Sequence, residues 1–152
     1  MELEEEPQKL FEKGLAMLKR GYPSDAVDFL EEAMRKGLKG SACYSWLGLA
    51  YARSGRQIIS KAEELCLKAI KMDFYWPQYY LNLSEVYLIW GKKDKAIRAL
   101  EAGLKIDKNN DAILNELHRM GIRRNPVIPS LSRTNPINKY LGKILFTLGL
   151  RR

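Results

Sequence analysis

The chain has 152 residues, of which 46% are apolar, so it has room for one domain of ordinary size with a real core. Its longest apolar runs, such as residues 144–150, are too short to span a bilayer, and residues 1–6 are acidic where a secretory signal would be basic and then apolar. Cys43 and Cys66 cannot by themselves form a disulfide framework or a four-ligand zinc site. We therefore expect a reduced, soluble, cytoplasmic protein.

The net charge of +8 is concentrated towards the carboxyl-terminal end of the chain. Residues 1–116 contain equal numbers of basic and acidic side chains, whereas residues 117–152 contain basic side chains and no acidic one. This asymmetry indicates two regions with different roles. The alternative is that a basic tail simply keeps the chain soluble.

Residues 7–110 contain a pattern that repeats about every 34 residues, which is the length of a pair of helices with their connecting turns. Gly14 and Gly48 are 34 residues apart, and Gly48 and Ser84 are 36 apart. Further small or apolar residues recur at three later positions: Ala26, Ala62 and Ala96; Leu30, Cys66 and Leu100; Ala33, Ala69 and Gly103. Helical spacing of the apolar residues predicts two helices in each block, with a turn that is two residues longer in the second block.

This pattern resembles the tetratricopeptide repeat family, in which an aromatic residue or Leu, then Leu, a small residue and Tyr mark the first helix, and Ala, Phe or Leu, and Ala mark the second. The matching residues are Leu10, Gly14, Ala26, Leu30 and Ala33, then Tyr44, Leu47, Gly48, Tyr51, Ala62 and Ala69, and then Tyr80, Leu83, Ser84, Tyr87, Ala96 and Leu100. The resemblance implies an all-α, right-handed solenoid over residues 7–121. Its parts would be repeats at about 7–40, 41–76 and 77–110 and a capping helix at 111–120.

The resemblance also implies a concave groove lined by the first helices, which in this family binds peptides or helices of other proteins without catalysis. The residues expected to line it are Phe11, Leu15, Leu18, Lys19, Trp46, Leu49, Arg53, Leu81, Asn82, Glu85, Leu88 and Ile89. The set is largely apolar, which favours an amphipathic helix or an apolar peptide as the ligand. The alternative is that several of these residues pack between helices and leave little groove.

One version of the family grips the C-terminal carboxylate of chaperones with Lys, Asn and Arg side chains, because a carboxylate needs charge-assisted donors. The matching positions in this chain hold Phe11, Leu15, Trp46, Gln78 and Asn82. Only Asn82 fits, and Asn is common at that position throughout the family. The sequence therefore predicts that this chain lacks the carboxylate clamp.

An aromatic cluster lies at the junction of the second and third repeats, and its members are Phe74, Tyr75, Trp76, Tyr79 and Tyr80. Packing between repeats is the favoured interpretation, and a ligand site is the alternative. A surface that stacks nucleic-acid bases interleaves aromatic residues with Arg or Lys. Residues 73–83 contain neither, so we do not expect this cluster to bind nucleic acid.

Catalysis is not expected from this sequence, which contains no phosphate-binding loop and no nucleophile motif. His118 is the only histidine, so a histidine metal site or a Ser-His-Asp triad has little to build on. We therefore predict no enzymatic activity, no catalytic or metal-binding residue, no cofactor and no small-molecule substrate.

The tail, residues 122–152, begins with a proline-containing segment that is predicted to be extended and then forms an amphipathic helix from Asn135 and Pro136 onwards. The apolar stripe of this helix is Ile137, Tyr140, Leu141, Ile144, Leu145 and Leu148. Such a stripe is expected to be buried on protein, because an exposed one would form an apolar patch. It has three candidate sites: the end of its own solenoid, the groove of its own chain, or a second copy of the chain.

The predicted function is a protein–protein interaction module, an adaptor or scaffold whose partner is a peptide or helix of another protein. Self-association into a homo-oligomer is a further option. The alternative function is peripheral binding of an anionic membrane surface or nucleic acid through the basic tail. The two functions differ in what covers the apolar stripe of the tail. Burial on protein favours the interaction module, and burial on lipid favours the alternative.

Overall fold

The computed structural model describes residues 6–55, 57, 59–121 and 135–147. In these ranges the chain is α-helical and contains no strand, so the predicted all-α class is confirmed. The helices are α1 (Pro7–Arg20), α2 (Pro23–Arg35), α3 (Ser41–Ser54), α4 (Ile59–Met72), α5 (Pro77–Ile89), α6 (Lys93–Ile106), α7 (Asp111–Arg119) and α8 (Pro136–Thr147). By its internal contacts the chain divides into two compact units, Met1–Ile113 and Leu114–Arg152.

The first unit is built from three helix hairpins, α1–α2, α3–α4 and α5–α6. Each hairpin packs on the next one, because α3 contacts α2 and α1 while α5 contacts α3 and α4. A stack of this kind buries one continuous core, to which every hairpin contributes an apolar face. This stack of helix hairpins agrees with the solenoid class predicted from the sequence, while the repeat bounds stay a prediction.

Each hairpin turns at a glycine in the left-handed region, where a Cβ atom would be strained. These residues are Gly21, Gly55 and Gly91, with φ of 83°, 65° and 74°. In the second hairpin α3 ends at Ser54 and α4 begins at Ile59, so the predicted longer turn is confirmed.

The small residues of the repeat lie where the two helices of a hairpin approach most closely. A Cβ atom built on Gly14 would lie 2.7 Å from Leu30 Cγ, and one built on Gly48 would lie 2.7 Å from Cys66 Sγ. The recurring alanines Ala26 and Ala62 are fully buried. The repeated pattern in the sequence therefore reflects the packing of helix backbones at short distance.

The start of α7 packs on the third hairpin, as expected of a capping helix. Ile113 is fully buried, and its Cδ1 atom would lie 2.7 Å from a Cβ atom built on Gly103 of α6. The backbone N–H of Ile113 donates to Asn110 Oδ1 at 3.1 Å, which caps the helix. The domain boundary expected after residue 121 stays a prediction, while the first compact unit ends at Ile113.

The helix predicted in the tail is present as α8. Its start is the expected one, because Asn135 Oδ1 accepts a hydrogen bond from the backbone N–H of Ile137 at 2.9 Å and Pro136 occupies the first helical position. The predicted extended segment, 122–134, and Leu148 lie outside the described residues. The expected burial of the apolar stripe is not found for Ile137, Tyr140 and Ile144, which are 54%, 70% and 37% exposed, while Leu141 and Leu145 are half-buried. Burial of the stripe on a second copy of the chain stays a prediction.

Candidate functional site

The first helices of the three hairpins lie side by side, because α3 contacts both α1 and α5. All the residues expected to line a groove are on these three helices. We call their shared surface the first-helix face. It is the candidate binding site, and its character depends on which side chains remain accessible there.

The accessible part of the first-helix face is mostly apolar. Its half-buried residues are Phe11, Leu15, Trp46, Leu81, Glu85 and Leu88, and its exposed residues are Lys19, Arg53 and Ile89. A half-buried apolar side chain is held by its neighbours on one side and is open to a ligand on the other. The face therefore combines fixed apolar side chains with charged residues at one end of the helices, which is the composition of a peptide-binding surface.

Three of the residues expected in the groove lie inside the packing instead. Leu18, Leu49 and Asn82 are 3%, 1% and 2% exposed, so their side chains offer no surface to a ligand. Leu49 is on α3, the central helix, which is covered by α4 on one side and by α1 and α5 on others. For these three residues the structure supports the alternative of packing between helices.

An ion pair joins α3 to α5 at the end of the first-helix face. Arg53 donates from Nε and an NH2 group to the two carboxylate oxygens of Glu85 at 2.6 and 2.8 Å. A further Arg53 donor lies 3.5 Å from the carbonyl oxygen of Leu18 on α1. The hydrogen bond to Glu85 raises the pKa of Arg53, so the pair stays charged and links α3 to α5.

A buried chain of hydrogen bonds lies between the same two helices. Asn82 Nδ2 donates to Ser45 Oγ at 2.9 Å, and Gln78 Nε2 donates to Asn82 Oδ1 at 2.9 Å. Ser45 is fully buried and was not among the predicted site residues. The only signal in the sequence for this contact is a polar residue on an apolar stretch of α3, which does not identify its partner.

The residues at the clamp positions cannot hold a carboxylate in the way the family's clamp does. Phe11, Leu15 and Trp46 have apolar or aromatic side chains, and the amides of Gln78 and Asn82 bond to one another. A carboxylate placed there would lose its hydration without gaining a charged donor. This arrangement agrees with the sequence-based prediction that the clamp is missing.

A second polar contact joins the second and third hairpins away from the candidate groove residues. Tyr87 donates to Glu63 Oε1 at 2.8 Å, and Lys95 donates to the same oxygen at 3.0 Å. Burial, together with this hydrogen bond, raises the pKa of Tyr87. Burial alone would raise the pKa of Glu63, but its partners lower it below the ordinary value. We interpret the contact as structural, because Tyr87, Lys95 and Glu63 are already hydrogen-bonded to one another.

The aromatic cluster between the hairpins divides into two parts. Tyr79 and Tyr80 are buried, as the packing interpretation predicts. Phe74, Tyr75 and Trp76 are 49%, 68% and 57% exposed, so the packing interpretation is wrong for these three residues. The difference arises because α5 begins at Pro77, which leaves 74–76 in the loop between the helices.

No site for a metal is apparent in the part of the chain that the structure describes, where no three His, Cys, Asp or Glu side chains come together. His118, the only histidine, is exposed on α7. None of the described helices is long and apolar enough to cross a membrane. Cys43 and Cys66 are buried as free thiols.

Comparison with known proteins supports the repeat assignment. The tetratricopeptide repeat family model matches residues 77–110, which contain the third hairpin. A curated relative, the Hsp70-Hsp90 organizing protein of Triticum aestivum, is 29% identical over 110 residues, which make up 71% of this chain and 18% of that protein. The chain thus spans less than a fifth of the length of the curated relative.

Solved structures share the fold at low sequence identity. The first TPR of Spaghetti (RPAP3), bound to the HSP90 peptide SRMEEVD, superposes with a TM-score of 0.63 at 22% identity over 76% of this chain and 93% of that one. The Arabidopsis OM64 TPR domain gives 0.64 at 21% identity, over 76% and 93% of the two chains. YrrB, described as a TPR protein with an unusual peptide-binding site, gives 0.64 at 17% identity over 75% and 58%. This chain therefore contains a tetratricopeptide repeat and has the tetratricopeptide-repeat fold.

Proposed function

We propose that this chain is a non-catalytic protein–protein interaction module that binds a peptide or helix of a partner protein on its first-helix face. The observation that carries the proposal is the row of half-buried apolar side chains on three adjacent helices, including Phe11, Trp46 and Leu81. Large aromatic side chains held in this way are the anchors that dominate many interfaces.

The ligand that suits this face is an apolar or amphipathic segment. The structurally similar RPAP3 domain is bound to the acidic peptide SRMEEVD, whereas the clamp positions of this chain hold no basic side chain. Arg53 is already paired with Glu85, so it does not supply the missing positive charge. Burial of apolar ligand side chains against Phe11, Leu15 and Trp46 would then provide most of the binding energy.

The remaining features agree with an interaction module of a reducing compartment. The free thiols of Cys43 and Cys66 fit a cytoplasmic protein, as the sequence suggests. We also propose that the protein has no enzymatic activity, no cofactor and no small-molecule substrate. The alternative function through residues 122–152 has no support from the described residues.

Selection of peptide ligands followed by a double substitution tests the proposal. Peptides of about 16 residues, enough for about four helical turns, are selected from a displayed library against the full chain, and their Kd is measured by fluorescence anisotropy. Phe11→Ala with Trp46→Ala should weaken binding by about 30-fold or more, since an anchor contributes about 2 kcal/mol. The peptide SRMEEVD should not bind.

The matched control is Tyr22→Ala, which removes an exposed aromatic ring from the turn between α1 and α2. It should leave the Kd of the selected peptides unchanged. Phe11 and Trp46 are only half-buried, so the double variant should still show a cooperative thermal transition. Unchanged affinity in a folded double variant, or tight binding of SRMEEVD, would contradict the proposal.

A further inference from the structure

The loop between α4 and α5 carries three consecutive exposed aromatic rings, Phe74, Tyr75 and Trp76. The loops at the equivalent positions of the first and third hairpins, 36–40 and 107–110, contain no aromatic residue. The fold therefore does not require aromatic residues at this position. A group of exposed aromatic side chains that the fold does not require indicates an interaction surface.

The structure holds this loop in a defined conformation. The hydroxyl of the buried Tyr80 donates to the carbonyl oxygen of Phe74 at 3.2 Å, and Asp73 Oδ1 accepts from the backbone N–H of Tyr75 at 3.3 Å. The ring centroids of Phe74 and Tyr75 are 4.0 Å apart. Because these rings contact each other, they leave no slot between them for a nucleic-acid base or a proline ring.

Three lysines lie at the same end of the second hairpin as the aromatic rings, although one of them comes from the loop before α3. Ser41 Oγ lies 3.0 Å from the hydroxyl of Tyr79, so the first turns of α3 and α5 meet and bring the loop that contains Lys39 beside the loop 73–76. Lys71, on the last turn of α4, is exposed next to the rings. Lys68 reaches the same end of the hairpin, because its Nζ lies 4.0 Å from the ring centre of Tyr44 near the start of α3.

Asp73, the acidic residue within the loop itself, does not cancel the positive charge of the three lysines. Asp73 is half-buried and bonds to the backbone of its own loop. Lys39, Lys68 and Lys71 are exposed. We call the loop 73–76 together with these three lysines the aromatic edge.

Aromatic residues with neighbouring lysines suit the boundary between an anionic bilayer and water. Tyr and Trp are enriched at the level of the lipid headgroups, and each nearby Lys is attracted by anionic headgroups. An exposed loop suits a planar surface better than a single strand of nucleic acid, which is bound in a groove.

We propose that the aromatic edge docks reversibly on an anionic lipid bilayer, with Phe74, Tyr75 and Trp76 at the headgroup boundary and Lys39, Lys68 and Lys71 against the anionic headgroups. This surface is separate from the candidate groove residues, so the proposal does not depend on the proposed peptide-binding function. It also shares no residue with the basic tail, 122–152, which the sequence analysis considered for the same kind of partner.

Vesicle co-sedimentation of the full chain tests this proposal. The vesicles contain phosphatidylcholine with about 30% phosphatidylserine, which gives an anionic surface. Phe74→Ser combined with Tyr75→Ser and Trp76→Ser should reduce the bound fraction about tenfold or more, because it removes the apolar part of the contact. The control Tyr22→Ser removes an exposed ring from the hairpin turn and should bind like the wild type.

The triple variant and the Tyr22→Ser control both keep residues 122–152. Any vesicle binding by the tail is therefore the same in both proteins and cannot produce the expected difference between them. The triple variant should keep the melting temperature of the wild type, since its rings are exposed. In a second measurement Trp46→Phe with Trp90→Phe leaves Trp76 as the sole tryptophan. Its emission should shift to shorter wavelength on anionic vesicles and be quenched by brominated lipid.

Three results would overturn the proposal. The first is equal vesicle binding by the triple variant and the wild type. The second is no binding of the wild type to anionic vesicles, or equal binding to pure phosphatidylcholine. The third is loss of binding to a single-stranded oligonucleotide in the triple variant while its vesicle binding is unchanged, which would assign the aromatic edge to nucleic acid.

Discussion

The first and second hairpins carry glycine at the same position of their first helix, yet the two glycines have different neighbours. Around Gly14 the nearest atoms to an added Cβ would be Leu30 Cγ and Cδ2 at 2.7 and 2.9 Å, which are both atoms of one buried side chain. Around Gly48 they would be Cys66 Sγ at 2.7 Å and the carbonyl oxygen of Ala62 at 2.8 Å. Backbone atoms cannot move away without shifting the whole helix.

The residue that faces each glycine explains this difference. Leu30 and Cys66 occupy equivalent positions of the repeat, and cysteine has the smaller side chain. In the second hairpin the helices therefore come closer, so the equivalent carbonyl oxygen is 2.8 Å from the Cβ position rather than the 3.4 Å found for Ala26 in the first. The tolerance of a recurring small position thus depends on the residue opposite it in space.

The largest effect is expected for Gly48→Leu. A large side chain would be forced into the closest helix approach of the second hairpin, which should lower the free energy of unfolding by about 3 kcal/mol or more. Urea unfolding measures this change. The control Gly142→Leu lies on α8, where a Cβ atom meets nothing within 4 Å, and should be nearly neutral. Unchanged unfolding of Gly48→Leu would contradict the repeat assignment itself.

Alanine at the two glycines tests the difference between the hairpins most directly. Both substitutions gain about 1 kcal/mol of helix propensity. Gly48→Ala should still lose about 1 kcal/mol, because overpacking costs about 1–3 kcal/mol and one of its close contacts is a backbone oxygen. Gly14→Ala should lose less, because its contacts below 3 Å are side-chain atoms only. The urea midpoints of the two variants measure the difference. Equal midpoints would show that the second hairpin relaxes as easily as the first.

The thiol of Cys66 gives the second hairpin a dependence on pH that Leu30 cannot give the first. Burial raises the pKa of Cys66 to about 12 from an ordinary value of 9.0. Between these values the unfolded thiol is ionised and the folded one is not, so stability is fully present below about pH 9 and falls as the pH rises. The contribution is at most about 1.4 kcal/mol per pH unit.

Urea unfolding at several pH values from about 9 to 11 measures that slope, because this range lies between the two thiol pKa values. Cys66→Ala should show a shallower decline, even though its stability is lower at every pH because a cavity remains. The tyrosines, whose ionisation also contributes at high pH, are common to both proteins. Parallel declines in the two proteins would contradict the role assigned to Cys66.

The smallest effect is expected for Arg53→Ala, which tests contacts between hairpins rather than within one. Arg53 and Glu85 are about one-third exposed, with side-chain values of 36% and 38%. Exposed pairs contribute about 0–1 kcal/mol, and salt weakens them. A double-mutant cycle with Glu85→Ala measures the coupling. A coupling energy well above about 1 kcal/mol would contradict this prediction, because it would mean that the ion pair between the hairpins contributes more than an exposed pair does.

The helices and their grouping into hairpins could be predicted from local signals in the sequence. Helical spacing of apolar residues, glycines at the turns and prolines at helix starts each act within a few residues of their own position. The longer second turn and the start of α8 at Pro136 could be predicted in the same way. These features needed no knowledge of which helices pack together.

The accessibility of residues on the helices and loops, in contrast, depends on the tertiary structure. Leu49 and Asn82 occupy positions that a repeat pattern assigns to the groove, but contacts from neighbouring helices bury them. Ser45 becomes the partner of Asn82 only when α3 and α5 meet. Phe74, Tyr75 and Trp76 remain exposed because no other described segment of the first unit covers their loop. Burial is a property of all the elements around a side chain, and a local pattern contains only one of them.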